Sequence, residues 1–262
     1  MAGVKHPVLL LPGAKGKVSG GAGPTYGEVV AGDDGALGPA RRAVLTAARA
    51  AADDLEPAAL ARLTGVGVSR AEQQRVALRG LADAATLPAH RRYDGVVHAN
   101  AGLADLDRDR LAAGDLGIEV LVISPLLGVL GLDERVPAYR LELTATLPPL
   151  GGLAAFWRPW ATQVLEQRLE GRRVWDLLPG EHARVWPVTR RAAGQVARVA
   201  FVRPDGRAAN AARTKVAKGR LAGWLIAHPT TTVAELVGSP VLGEGWQVTA
   251  DAEGVRATWT GG

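Results

Sequence analysis

The sequence predicts a mixed α/β (α+β) protein, and three observations carry that prediction. Two short apolar runs, Val8–Leu11 and Ile118–Ser124, have the length and content of buried strands. Stretches rich in Ala, Leu and Arg, notably 40–54 and 211–227, are strong helix formers. The two kinds of segment share one chain, with Gly- and Pro-containing turns between them. At 262 residues, 47% hydrophobic and 22% charged, the chain can bury a sizeable core. The length allows one large domain or two small ones, and no linker divides residues 1–262 cleanly.

Taken in order, Val8–Leu11 is a strand ended by Pro12-Gly13. Residues 13–38 show little periodicity and are expected to form a long loop, a type of segment that often carries function. Helices are expected over 40–54, 57–62 and 69–85, and a short one over 105–113. Tyr93–His98 fits either a strand or a helical turn. Tyr139–Leu143 alternates apolar and polar residues as a strand would. A helix over 153–169, a strand over 173–177, a strand over 197–202 and a helix over 211–227 follow. Thr232 and Glu235 have the spacing of a capping box, in which hydroxyl and carboxylate satisfy free N–H groups at a helix start. Residues 247–249 and 255–259 form a closing hairpin.

The charge balance narrows the partners. Lys plus Arg number 31 against 26 Asp plus Glu, a net charge of +5, which favours anionic partners. The Arg-, Ala- and Gly-heavy usage is that of a high-GC genome, so the Arg count by itself says little. Cysteine is absent, which excludes disulfides, thiolate nucleophiles and Cys-ligated metals. The five histidines stand at no recurrent ligand spacing, so neither metal nor cofactor is expected. No Gly-x-Ser-x-Gly elbow surrounds Ser124. The longest uncharged run, 120–132, is too short to span a bilayer and is broken by Pro125. A soluble, cytoplasmic protein is expected.

Three segments are candidates for anion chemistry. The first, Leu63-Thr-Gly65-Val-Gly67-Val-Ser69-Arg70-Ala71, lies between helical sequences, as in a helix-hairpin-helix. Gly65 and Gly67 would let the backbone approach a phosphate, with Arg70 adding charge. A plain interhelical turn with Ser69 as N-cap fits as well. The second, Arg213-Thr-Lys215-Val-Ala-Lys218-Gly219-Arg220, is either a phosphate-binding stripe or a solvated helix face. Only Gly219, unusual inside a helix, argues for close backbone approach. The third pairs Lys15 and Lys17 just after the first strand, where ligand sites of α/β sheets gather. It lacks the full spacing of a Walker A loop. The scattered tryptophans could stack on bases or pack in the core.

Several segments, in order, resemble the YaaA family of peroxide stress proteins, in an actinobacterial form. Leu11-Pro-Gly-Ala-Lys15 with Lys17 resembles the family's N-terminal element. Tyr93-Asp-Gly95-Val-Val97 is similar to its aromatic-x-Gly-x-Val. Ser124-Pro-Leu-Leu-Gly128-Val-Leu130 and Tyr139-Arg140-Leu-Glu142-Leu143 resemble its central block, and Phe156-Trp157 its Phe-Trp. Leu177-Leu-Pro-Gly-Glu181-His182 and Lys215-Val-Ala-Lys218-Gly219 resemble two later elements. The resemblance implies a single compact fold of the YaaA type with a basic cleft and a helix-hairpin-helix-like element at about 55–80. It also implies binding of double-stranded DNA and protection against peroxide by limiting iron-dependent damage. The chain departs from the family pattern at Lys15, Leu127, Gly131, Leu178-Pro179-Gly180, His182 and Arg213, as a diverged member would.

Two functions follow as expectations. In the first, Gly65, Gly67, Arg70, Lys215, Lys218 and Lys17 contact nucleic-acid phosphates without reading sequence. In the second, the same cleft is an enzyme site for a small nucleotide- or carboxylate-like anion. There Arg140 clamps the anion, and Tyr139 or a lysine such as Lys17 moves a proton. Against both, Tyr139 could simply pack in the core while Arg140 pairs with Glu142 or Glu134.

Overall fold

The computed structural model describes residues 5–187, 196–251 and 254–261. Eleven strands lie among these residues. Seven form one mixed sheet in the order β10-β11-β9-β8-β1-β3-β4. They are β1 (Val8–Pro12), β3 (Glu119–Ser124), β4 (Gly128–Gly131), β8 (Val174–Asp176), β9 (Val196–Val202), β10 (Trp246–Asp251) and β11 (Gly254–Trp259). The five from β11 to β3 run parallel, and antiparallel β10 and β4 close the edges. Every residue of β1 is buried, as expected of a central parallel strand covered on both faces. Two small ladders stand apart, β2 (Thr86–Pro88) with β5 (Arg135–Pro137) and β6 (Thr146–Leu147) with β7 (Gly151–Gly152).

Connections leave β1 toward β3 on one side, and β8 toward β9 on the other. The crevice beyond the C-terminal ends of β1 and β8 is therefore a topological switch point, where open parallel sheets bind ligands. One helix packed beside it, α6 (Val96–Asn100), follows Tyr93, so Tyr93–His98 is a bridge residue leading into a helical turn. Another, α10 (Ala211–Ala227), spans the residues its composition predicts and is capped by the Asn210 side chain. Gly219 lies where α6 crosses α10. A Cβ there would fall 2.4 Å from the Asn100 Cβ, so the glycine serves helix packing. The long helix α8 (Leu153–Leu169) also has the predicted bounds. No helix among the described residues is long and apolar enough to cross a membrane.

Three expectations need correction. The segment 13–38 is not one loop. It contains α1 (Tyr26–Ala31), opened by a capping box from Thr25 and Glu28, and the start of α2 (Gly38–Asp54). The helix expected over 69–85 is a 3-10 turn at Val68–Arg70 followed by α4 (Ala71–Arg79), and β2 takes up the chain at Thr86. Tyr139–Leu143 joins no ladder. Its alternation reflects a chain with Tyr139, Leu141 and Leu143 buried, and the Glu142 N–H donates to the Leu63 carbonyl.

Candidate functional site

The loop after β1 is fixed before any ligand is considered. The Asp94 N–H donates to the Gly16 carbonyl at 3.0 Å, and a Cβ on Gly16 would lie 2.1 Å from the Asp94 carbonyl oxygen. Arg92 is fully buried and donates to the carbonyls of Val18, Gly20, Ala85 and Val136. A guanidinium fully engaged with carbonyls takes no part in ligand chemistry, but it pins the loop that carries Lys17.

Lys17 Nζ donates to the Ala14 carbonyl at 2.7 Å and lies 3.8 Å from the centroid of the Tyr139 ring. Burial, with Arg140 and Arg92 nearby, pushes its pKa down to about 7, and Glu142 offsets this only in part. Beneath it, Tyr139 Oη lies 2.8 Å from Ser124 Oγ and 3.2 Å from Tyr93 Oη. Ser124 Oγ also accepts the N–H groups of Leu126 and Leu127. Burial raises both phenols, so the three hydroxyls form a neutral chain. His98 is buried beside Tyr93, with neither ring nitrogen hydrogen-bonded among the described residues. Burial and the Lys17 charge lower its pKa to about 4, leaving a neutral imidazole.

Across the crevice a second cluster grows from β8. Asp176 is buried. Its Oδ1 accepts the Leu178 N–H at 2.9 Å, and its Oδ2 receives Arg198 Nε and Nη2, both at 2.8 Å. Lys218, on α10, donates to the Leu177 carbonyl at 2.7 Å. Burial lowers its pKa to about 8, and Asp176 acts the other way. His182, 3.6 Å from Glu181, is pushed to about 4 by burial and by Lys218. Its Nδ1 and the Thr214 hydroxyl have no hydrogen-bond partner among the described residues.

Residues of both clusters, though not Tyr93, Ser124 or Asp176, line one cavity of about 790 Å³, a volume suited to a small organic ligand. Its charged walls are Lys15, Lys17, Arg198, Lys215 and Lys218 against Glu142 and Glu181. Of the predicted residues, Lys15, Lys17, Tyr139, Lys215 and Lys218 therefore meet here. Arg140 does not line the cavity but acts on Lys17 through its charge. The carboxylates considered for Arg140 pair with other cations, Glu134 with Arg41 at 2.9 Å and Glu142 with Lys15 at 2.6 Å. Arg213 lies 4.5 Å from the Trp259 ring, outside the cavity.

Gly65, Gly67 and Arg70 are exposed and do not line the cavity. Gly65 ends α3 (Pro57–Thr64) in the left-handed region at φ 64°, as a C-cap glycine does. The Glu142 carboxylate lies against it, so a Cβ there would fall 1.8 Å from Glu142 Oε1. Ser69 makes no side-chain cap.

Sequence reasoning missed Asp176, Arg198, His98, His182 and Thr214 as parts of one site. The available signal was Asp176, a carboxylate near the end of an otherwise buried strand. The histidines stand at no metal-ligand spacing, and their placement depends on α6 and on the turn after β8.

The sequence model of peroxide stress protein YaaA matches residues 11–251. A UPF0246 protein of Streptomyces coelicolor is 33% identical over 176 residues, 66% of each chain, so the match spans about two thirds of that relative's length.

Proposed function

The chain belongs to the YaaA family of peroxide stress proteins, and from that premise we propose that it binds a small organic anion in the cavity between β1 and β8. One observation supports this above others. Two cations, Lys17 and Lys218, lie inside the cavity with their amines anchored to backbone carbonyls. A molecule that enters can reach them, whereas the phosphates of a rigid duplex stay outside. The unpaired polar atoms of His98, His182 and Thr214 would supply neutral hydrogen bonds to the same ligand.

The test is thermal shift and calorimetry with inorganic phosphate, nucleoside monophosphates and dicarboxylates. Binding that Lys218→Ala weakens about tenfold or more supports the reading. Absence of a response to all three classes overturns it.

A second reading, contact with double-stranded DNA, draws on exposed Lys15 and Lys215 at the cavity and on Arg213 in the first turn of α10. Relief of iron-dependent damage in the cell belongs to that reading. Duplex binding that falls steeply with salt and is weakened by Lys15→Ala/Lys215→Ala, with Lys218→Ala inert, favours it.

A further inference from the structure

The chain uses lysine sparingly. It has 26 arginines and five lysines: Lys5, Lys15, Lys17, Lys215 and Lys218. Four of the five line the cavity between β1 and β8. Apart from Lys5, the Lys and Arg cations elsewhere on this protein, including the buried Arg41 and Arg92, are arginines. Charge alone therefore does not explain why these positions hold lysine. A lysine differs from an arginine in one relevant way: its amine can lose a proton and attack carbon, and a guanidinium cannot.

Of the four, Lys17 has the surroundings of a nucleophile. Its amine rests on the Tyr139 ring, one hydrogen bond to the Ala14 carbonyl fixes its direction, and its strongest charged neighbours are the cations Arg140 and Arg92. These neighbours favour the neutral amine, consistent with its lowered pKa of about 7. Lys15 is instead paired with Glu142, and Lys218 stands beside Asp176, which favours its charged form. We infer that Lys17 forms an imine with an anionic carbonyl compound, a 2-oxo acid or a phosphorylated aldehyde, whose anionic group is held by Lys218 and Arg198. The Lys17 nitrogen adds to the carbonyl carbon, and a proton passes from nitrogen to the carbonyl oxygen. The resulting carbinolamine loses that oxygen as water and leaves the C=N bond, with no oxidant or reductant required. His98 is buried and neutral beside Lys17, and its unpaired ring nitrogens are suited to carrying the proton.

This inference rests on the anion-binding reading, and the two can fail separately. The intact protein at neutral pH is incubated with glyoxylate or with pyridoxal 5′-phosphate, treated with borohydride, digested and mapped by mass spectrometry. Reduction of an imine adds the mass of the probe less one oxygen atom. The expected result is labelling of Lys17 at least about tenfold ahead of Lys5, which lies outside the cavity. Excess phosphate suppresses it, and Lys17→Arg, which keeps the charge, removes it. The wild-type map needs no variant, so a folding defect in Lys17→Arg cannot mask the answer. Glyoxylate labelling alone assigns an oxo acid, and pyridoxal phosphate labelling alone a phosphorylated aldehyde. Labelling that favours any other lysine, or no label from either probe, overturns the inference. If anions still bind in calorimetry, the anion-binding reading survives that result.

Discussion

Lys17 and Lys218 face the same cavity from opposite walls, and each donates to a backbone carbonyl at 2.7 Å. Burial lowers both amines, but their neighbours differ. Lys17 stands among cations, an aromatic face and neutral hydroxyls. Lys218 stands beside a buried carboxylate already bound by Arg198. Different neighbours therefore yield two kinds of amine. One is poised to lose its proton near neutrality, and the other keeps its charge about a pH unit longer. The difference teaches that the sign of the nearest charge, added to burial, divides the labour within such a site.

The largest effect that would break this comparison comes from Asp176→Asn. The substitution keeps the shape but removes the one charge that compensates both Lys218 and Arg198. Breaking a buried pair by deleting one partner is costly, and here the half-exposed Arg198 moderates it, so a loss of about 2–4 kcal/mol is expected from urea unfolding. A loss below about 0.5 kcal/mol would mean that the carboxylate does not hold the Lys218 side together, and the contrast between the walls would fail.

Much of this architecture was legible in the sequence. Continuous apolar runs identify β1 and β3 because a central parallel strand is buried on both faces. The bounds of α8 and α10 follow from helix-former content, even with Pro159 inside α8. What was not legible depends on long-range pairing. Tyr139–Leu143 has a strand's alternation but no strand beside it; its Glu142 N–H bonds the end of α3 and its Tyr139 hydroxyl reaches Ser124 at the end of β3. The Thr25–Glu28 capping box was present but passed unread in a Gly-rich setting, and so α1 was missed. Lys15 and Lys17 could be placed at the end of β1, and Lys215 and Lys218 on one helix. That these pairs share a cavity follows only once β8 is known to lie beside β1.

A smaller effect separates the two lysines by pH. Unfolded, the Lys17 amine keeps its proton up to about 10.5, and folded it releases it at about 7. Between those values the unfolded chain binds more protons, so stability rises with pH by up to about 1.4 kcal/mol per unit. Below pH 7 both states are protonated, and the penalty of the buried charge is fully present. Lys17→Met removes this contribution. Urea midpoints measured from pH 6 to 9.5 should therefore show the wild type gaining on the variant from about pH 7 upward. For Lys218→Met the corresponding gain should begin only near pH 8. Parallel curves for wild type and Lys17→Met would show that Lys17 keeps its proton, and the two walls would no longer differ.

The smallest effect concerns what lies beneath Lys17. Tyr139→Phe keeps the ring face on which the amine rests but removes the hydroxyl between Ser124 and Tyr93. Ser124 Oγ retains the N–H groups of Leu126 and Leu127, and the Tyr93 hydroxyl keeps Ser124 as a partner. The expected cost is about 1 kcal/mol, read from the urea midpoint. The pH at which the wild type begins to gain on Lys17→Met should be unchanged when both proteins carry Tyr139→Phe. Burial and the cations set the titration of Lys17, and none of the three hydroxyls contributes to it. If that onset instead moved by a full pH unit, the hydroxyl chain would itself act on Lys17, and the first wall would owe its character to hydrogen bonding as well as to charge.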